Sequence, residues 1–205
     1  MSRNIRTSLT DPIQIPTLSV ATGRIGVSFC PGKRGPALAG FDWMRDLTVD
    51  LDAVRDWGAA AVISLIEDHE IEFLGVSKLE AEVTARGMEW LHLPIVDVAA
   101  PGDEFEQRWR SAGPRVRGIL AEGRSVFIHC RGGLGRAGTV AARLLIELGE
   151  ADAASAIARV REVRPGAIET RTQENHLHAL WRVYDRACGC LIGLAVGDAL
   201  GTTLE

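Results

Sequence analysis

Val126-Phe127-Ile128-His129-Cys130-Arg131-Gly132-Gly133-Leu134-Gly135-Arg136 is the stretch on which the fold turns. Its first residues, with Arg124 and Ser125 before them, form a short apolar run of the kind that makes a buried strand. Three glycines follow within four residues, and from Gly138 to Leu148 the apolar positions recur at helical spacing. The order is therefore strand, tight loop, helix. A loop at that junction turns its backbone N–H groups inward and lies at a helix N-terminus, so it favours an anion twice over. Gly132, Gly133 and Gly135 are expected to supply the positive φ values and tight curl of such a cradle.

The same alternation extends in both directions. Arg24–Phe29, Ala60–Ile66 and Met88–Pro94 read as further strands. Asp50–Trp57, Lys78–Arg86, Asp103–Leu120, Ala151–Val163 and Thr170–Arg186 read as helices, with Pro114 predicted to break or kink the third of them. Strands alternating with helices predict an α/β fold with a mixed, mostly parallel central sheet flanked by helices on both faces. There is no internal repeat and no low-complexity linker.

The bulk composition narrows the function classes. The chain has 205 residues, 46% of them hydrophobic and 24% charged, which suits one domain with a sizeable core plus an appendage. A net charge of -4 argues against a nucleic-acid binder that works by bulk electrostatics. The stretch Met1–Pro16 has no apolar signal-peptide core, and the weakly polar run Cys188–Leu200 contains Asp198 and is too short to span a bilayer. A cytoplasmic protein without a membrane partner is expected, with Cys30, Cys130, Cys188 and Cys190 as thiols. No Cys/His spacing matches a structural zinc site, and no cofactor is implied.

The chemistry follows from the loop. A cysteine ringed by N–H dipoles is favoured as its thiolate, the nucleophilic form. Arg136, six residues after Cys130, can fork onto two oxygens of a phosphate and grip them in the transition state. A metal is not required where the loop N–H groups and Arg136 carry that charge.

The pattern His129-Cys130-x5-Arg136 resembles the signature of the protein tyrosine phosphatase superfamily, with a likeness that covers roughly residues 20–187. Leu93-Pro94-Ile95-Val96-Asp97 resembles the general-acid loop of its dual-specificity branch, and Arg164-Pro165-Gly166-Ala167-Ile168-Glu169-Thr170 with Gln173 resembles that branch's post-loop segment. The kinase-associated phosphatase subfamily is similar in its Gly-Gly-Leu-Gly-Arg loop. This resemblance implies hydrolysis of a phosphate monoester through a phosphocysteine. Cys130 would attack, Asp97 would protonate the leaving oxygen, and His129, Arg131, Gly132, Gly133, Leu134 and Gly135 would form the phosphate-binding loop with Arg136. Gln173 would position the hydrolytic water, and His129 would support the thiolate through hydrogen bonds. The partner would be a phosphorylated protein or small molecule.

Other readings stand beside this one. A rhodanese-like enzyme also places a cysteine in an anion loop, but lacks the Asp97 loop and the Gln173 segment. A phosphate-binding pseudophosphatase is favoured only by Ala137, which stands where most of the superfamily has a Ser or Thr that assists release of the cysteine. Thr139 lies about 200° further round the helix and is not expected to substitute. Asp97 could instead be a turn or cap residue, with Asp103 as the expected cap of the following helix. Arg131 could be a solvated rim charge or an attractor for extra substrate charge. Cys30 and the other histidines read as structural or surface residues.

Residues 186–205 do not fit a phosphatase. Gly189, Leu194, Ala195, Gly197, Asp198, Ala199, Leu200 and Gly201 resemble the opening helix of the ADP-ribosylglycohydrolase family, whose metal-binding carboxylates lie further along. The expected organisation is a phosphatase-like domain over 1–187, with 188–205 as the truncated first helix of such a domain or as a C-terminal tail. The chain would then be a piece of a two-domain fusion without glycohydrolase activity, and its phosphatase domain would act on a phosphorylated ADP-ribose or nucleotide. The alternative is a simple extension of the last phosphatase helix.

Overall fold

The computed structural model describes residues 4–20, 22–37 and 39–201. Its elements are β1 (Asn4–Arg6), β2 (Thr17–Val20), β3 (Gly23–Phe29), β4 (Arg34–Pro36), β5 (Phe41–Met44), α1 (Leu47–Asp56), β6 (Ala59–Ser64), α2 (Asp68–Phe73), α3 (Leu79–Ala85), β7 (Glu89–His92), α4 (Asp103–Ala121), β8 (Ser125–Cys130), α5 (Gly135–Glu147), α6 (Ala153–Val163) and α7 (Arg171–Gly201).

The main sheet has the order β2-β3-β8-β6-β7, antiparallel only between β2 and β3. This is the mixed, mostly parallel sheet that the alternation predicts. Its central strand, β8, has all six residues buried, as a strand covered on both faces must. Val126 and Ile128 face the layer built by α4–α7, together with Phe105, Trp109, Val140 and Leu144. Phe127 faces the other layer, with Leu51 and Val54 of α1 and Leu79 and Val83 of α3. The period-2 alternation of one strand thus divides the core in two.

A second, small sheet of order β1-β5-β4 lies outside this sandwich. Its three strands and β2 have no counterpart in the sequence reading, because each is too short to show a period. The small sheet carries the aromatic pair Phe41–Trp43, and Trp43 meets Phe29 at 5.4 Å between ring centroids.

Pro114 does not break α4, which runs unbroken for 19 residues. Pro114 and Arg110 both lie on the exposed face, so the Arg110 carbonyl that loses its helical donor can turn to water. The expected cap at Asp103 moves one residue back, to Gly102. Arg143 in α5 ties that helix to α4 through Glu106 and also pairs with Glu147 of its own helix.

Residues 188–201 continue α7. They leave Leu191, Ile192, Leu194 and Val196 more than half exposed. Residues 202–205 lie outside the described residues, as do the side chains of Ala199 and Leu200. Among the described residues no helix is long and apolar enough to cross a membrane.

Candidate active site

Because β8 is the central parallel strand, it delivers Cys130 to the carboxyl edge of the sheet, where open α/β folds hold their ligands. The loop from Cys130 to Arg136 then curls into the N-terminus of α5. Gly133 makes that curl possible. Its φ is +70°, and an added Cβ would lie 2.2 Å from the Ser28 carbonyl carbon. Gly132 and Gly135 do not adopt positive φ, contrary to the expectation. Gly132 has open space around it. Gly135 is needed for close approach, since a Cβ there would meet Glu169 Oε2 at 2.6 Å and Gln173 Nε2 at 2.9 Å.

The loop faces inward because its carbonyls are held from outside. Lys33 Nζ donates to the Arg131 carbonyl at 3.3 Å. Arg164 donates through Nη2 to the Gly132 carbonyl at 3.2 Å and through Nε to the Gly133 carbonyl at 3.0 Å. Three consecutive carbonyls are thus turned outward by two cations. Gly133 N–H donates to Cys130 Sγ at 3.2 Å. Lys33 is itself held over the rings of Phe29 and Trp43, and burial lowers its ammonium to about 8. Neither Lys33 nor Arg164 was assigned a role from sequence.

Arg136 is buried, with 2% exposure. Its Nη1 donates to Glu70 Oε2 at 2.5 Å and to the Ile95 carbonyl at 3.1 Å, and its Nη2 donates to Glu70 Oε1 at 2.9 Å. Burial alone would lower its basicity, but the Glu70 hydrogen bond and the charges of Cys130, Glu70 and Asp97 raise it. Burial likewise disfavours a charged Glu70, and Arg136 reverses this and holds it below the usual carboxylate range. Glu70 was missed in the sequence because α2 has only six residues and no apolar period. The Glu67–Glu70 spacing was its one signal, and the Glu67 N–H does donate to Glu70 Oε2 at 3.0 Å.

Asp97 reaches the same centre. Its Oδ1 lies 2.9 Å from Arg136 Nη2 and accepts from the Val98 N–H at 3.1 Å. Its own N–H donates to Glu67 Oε2 at 3.3 Å. Val98 adopts φ +55°, a strained value for a β-branched residue and one that turns the chain sharply just after Asp97. The acid-loop segment is pinned from the far side, where Gln173 Nε2 donates to the Ala99 carbonyl at 3.0 Å and Thr170 Oγ1 donates to that of Val98 at 3.4 Å. Gln173 is fully buried, and its Oε1 accepts from the N–H groups of Glu169 and Thr170.

His129 departs from its expected task, whereas Arg131 takes the rim position and Thr139 is engaged elsewhere, as the sequence suggested. His129 is fully buried, and neither ring nitrogen finds a hydrogen-bond partner in the protein. Burial lowers its imidazole to about 3, against an opposing pull from the Cys130 backbone that falls short of a well-formed bond. The side chain packs near Trp90 and Phe127 and is neutral, so the expected support of the thiolate by hydrogen bonds is absent from this arrangement. Arg131 lies with its guanidinium 5.1 Å from the Phe73 ring, at the exposed rim. The Leu134 carbonyl accepts from Gly138 N–H at 2.9 Å as α5 begins. Thr139 Oγ1 donates to the Gly135 carbonyl at 2.8 Å and is committed there.

Comparison with known proteins agrees with this geometry. Residues 38–177 match the family described as Swiss Army Knife protein, DSP-PTPase phosphatase domain. The chain is 32% identical over 173 residues to the cyclin-dependent kinase inhibitor 3 of Rattus norvegicus, covering 82% of this chain and 78% of that protein. Its fold is similar to a crystal structure of kinase associated phosphatase with its catalytic-site cysteine changed to serine. There the TM-score is 0.73 at 26% identity, over 85% of this chain and 97% of the other. Tk-PTP in its active form is 32% identical with a TM-score of 0.61, over 78% and 92% of the two chains. A match that spans two thirds of the chain and includes the whole Cys130–Arg136 loop places the protein in the family of dual-specificity and tyrosine phosphatase domains.

Proposed function

We propose that this phosphatase domain works through Cys130 as nucleophile, Asp97 as proton donor and Arg136 as the clamp on the transferring phosphoryl group. The observation that carries the reading is the 2.9 Å contact between Asp97 and Arg136, which joins the acid loop to the anion loop. Cys130 Sγ attacks phosphorus, the bond to the leaving oxygen breaks, and that oxygen takes the proton of Asp97. Water then attacks the phosphocysteine, the P–S bond breaks, and Asp97 receives the proton. Arg136 and the loop N–H groups stabilise the equatorial oxygens in both steps. Gln173 supports this cycle by fixing the acid loop through Ala99, in addition to any contact with water. Cys130→Ser should abolish turnover of an aryl phosphate, and Asp97→Ala should lower it about a hundredfold or more while leaving phosphocysteine trappable. Full turnover by Cys130→Ser would remove the mechanism.

The partner in this reading is a phosphorylated protein or small molecule. The tail resemblance favours a second substrate class, a phosphorylated ADP-ribose or nucleotide, and a chain fused to an ADP-ribosylglycohydrolase-like domain after residue 187. A phosphate-release panel of phosphotyrosine peptides, phosphoinositides and ADP-ribose phosphates separates the two, and strong preference for the peptides excludes the second. A cytoplasmic location is supported by Cys30, Cys130, Cys188 and Cys190, all of which are free thiols. Fractionation of cells carrying the protein tests that location.

A further inference from the structure

One N–H of the anion loop is already engaged by an anion of the protein itself. Gly135 N–H donates to Glu169 Oε2 at 2.8 Å. Glu169 is an exposed residue, and among the described residues no basic side chain lies within ion-pair distance of its carboxylate. Its backbone is fixed by Gln173, whose Oε1 accepts the Glu169 N–H at 2.9 Å. The close approach at Gly135 described above means that the carboxylate rests directly on the loop backbone. A carboxylate without an ion-pair partner among the described residues therefore occupies an N–H of the Cys130–Arg136 loop.

We propose that Glu169 is a built-in competitor of the substrate phosphate for the Gly135 N–H. A phosphate dianion and a carboxylate cannot share one donor without strong repulsion, so binding of the phosphate must displace Glu169. The exposure of the residue leaves it room to swing into solvent. Glu169 thereby sets the affinity of the loop for phosphate and for phosphomonoesters, and it keeps the cradle from filling with weakly held anions. The proposal rests on the reading of this loop as the phosphate site.

The test is direct titration of the full chain with inorganic phosphate by calorimetry, for the native protein, Glu169→Gln and Glu169→Ala. The Gln variant keeps an acceptor on Gly135 and removes the charge, and the Ala variant removes both. Losing one charged acceptor should tighten phosphate binding about tenfold in Glu169→Ala, with Glu169→Gln intermediate. The gain should persist between about 0.05 M and about 0.5 M salt, because a contact is screened far less than a distant charge. An unchanged or weaker affinity makes Glu169 a mere cap of α5 and overturns the proposal, and so does a gain that disappears in high salt. Turnover of an aryl phosphate is measured in parallel. A native protein that binds phosphate but hydrolyses nothing ends the catalytic reading and leaves the competition measurable.

Discussion

Glu70 grips Arg136 with both carboxylate oxygens, in a pair whose side chains are only 2% and 4% exposed. The other hydrogen of Nη1 is shared between the Leu65 and Ile95 carbonyls, so the guanidinium cannot rotate without losing a buried partner. Nη2 lies 2.9 Å from Asp97 Oδ1 as an ion pair. Orientation of the phosphate clamp is thus decided by a residue of α2, a helix remote in sequence from the loop.

Glu70→Ala should therefore damage both stability and catalysis. It strands a buried guanidinium, which typically costs about 3–5 kcal/mol. It should also lower kcat/KM for an aryl phosphate about a hundredfold, the loss expected when a preorganised charge loses its aim. Glu70→Gln keeps one acceptor and should fall between. Chemical denaturation and steady-state kinetics measure the two effects separately. Native kinetics in Glu70→Ala would show that the loop aims Arg136 by itself.

The glycines of the loop should differ sharply in tolerance. Gly133→Ala combines a left-handed backbone with a Cβ 2.4 Å from the Phe29 amide nitrogen. A destabilisation of about 3 kcal/mol or more is expected, since the clash is with backbone and cannot be relieved by a side-chain shift. Gly132→Ala meets nothing within 4 Å and has no positive φ, so its stability should change by less than about 1 kcal/mol. Denaturation of the two variants side by side checks the contrast.

Much of this was legible in the sequence, for a definite reason. Ser125–Cys130, Gly23–Phe29 and Ala59–Ser64 are long enough and apolar enough to declare central strands, and the Cys130–Arg136 spacing is a local pattern with a local meaning. The residues that were missed act across the chain. Lys33, Glu70 and Arg164 reach the loop over sequence separations of 98, 66 and 31 or 32 residues, and each does so by hydrogen bonds that no periodicity encodes. Gly132 and Gly135 were misread because a glycine shows that a Cβ is unwelcome, not whether torsion or crowding excludes it. His129 was misread because a buried histidine can serve as packing, and its letter is the same in either case.

Acid should reveal His129. Its folded value of about 3 lies below the ordinary 6.5, so the unfolded chain binds the extra proton between those limits. The stability it contributes is complete above pH 6.5 and is lost as pH falls toward 3. At pH 5 the loss relative to pH 7 is about 2 kcal/mol. His129→Gln, neutral throughout, should lack that component. Unfolding free energies of both proteins at pH 7 and pH 5 give the difference, and parallel curves would mean that the ring is protonated or solvated when folded.

Lys33 should show itself at the other end of the scale. Burial lowers it from 10.5 to about 8, with Cys30, Arg45, Cys130 and Arg164 as the charges and thiols that act on it. Between those values the unfolded chain holds the proton that the folded chain has released. The native protein should accordingly gain stability relative to Lys33→Met as pH rises, by about 2–3 kcal/mol from pH 7 to pH 10. Taking the difference between the two proteins removes titrations common to both. A difference independent of pH would place the ammonium in water.

The slow step of the cycle should be release of phosphate from Cys130. Ala137 follows Arg136, is fully buried, and has no hydroxyl to offer the departing sulfur. Thr139 cannot stand in, because its hydroxyl donates to the Gly135 carbonyl one turn back. The leaving thiolate then depends on the Gly133 N–H and on the charges of Arg136, Lys33 and Arg164. A native protein mixed with excess aryl phosphate should release one equivalent of phenol rapidly and the rest slowly. Ala137→Ser adds a single oxygen next to the clamp and should raise the steady-state rate about tenfold, the effect of one hydrogen bond to a charged sulfur. The fast first equivalent should keep its rate, because attack on the substrate does not use that hydroxyl. An unchanged steady-state rate in Ala137→Ser, or the absence of a burst in the native protein, would place the slow step before the phosphocysteine.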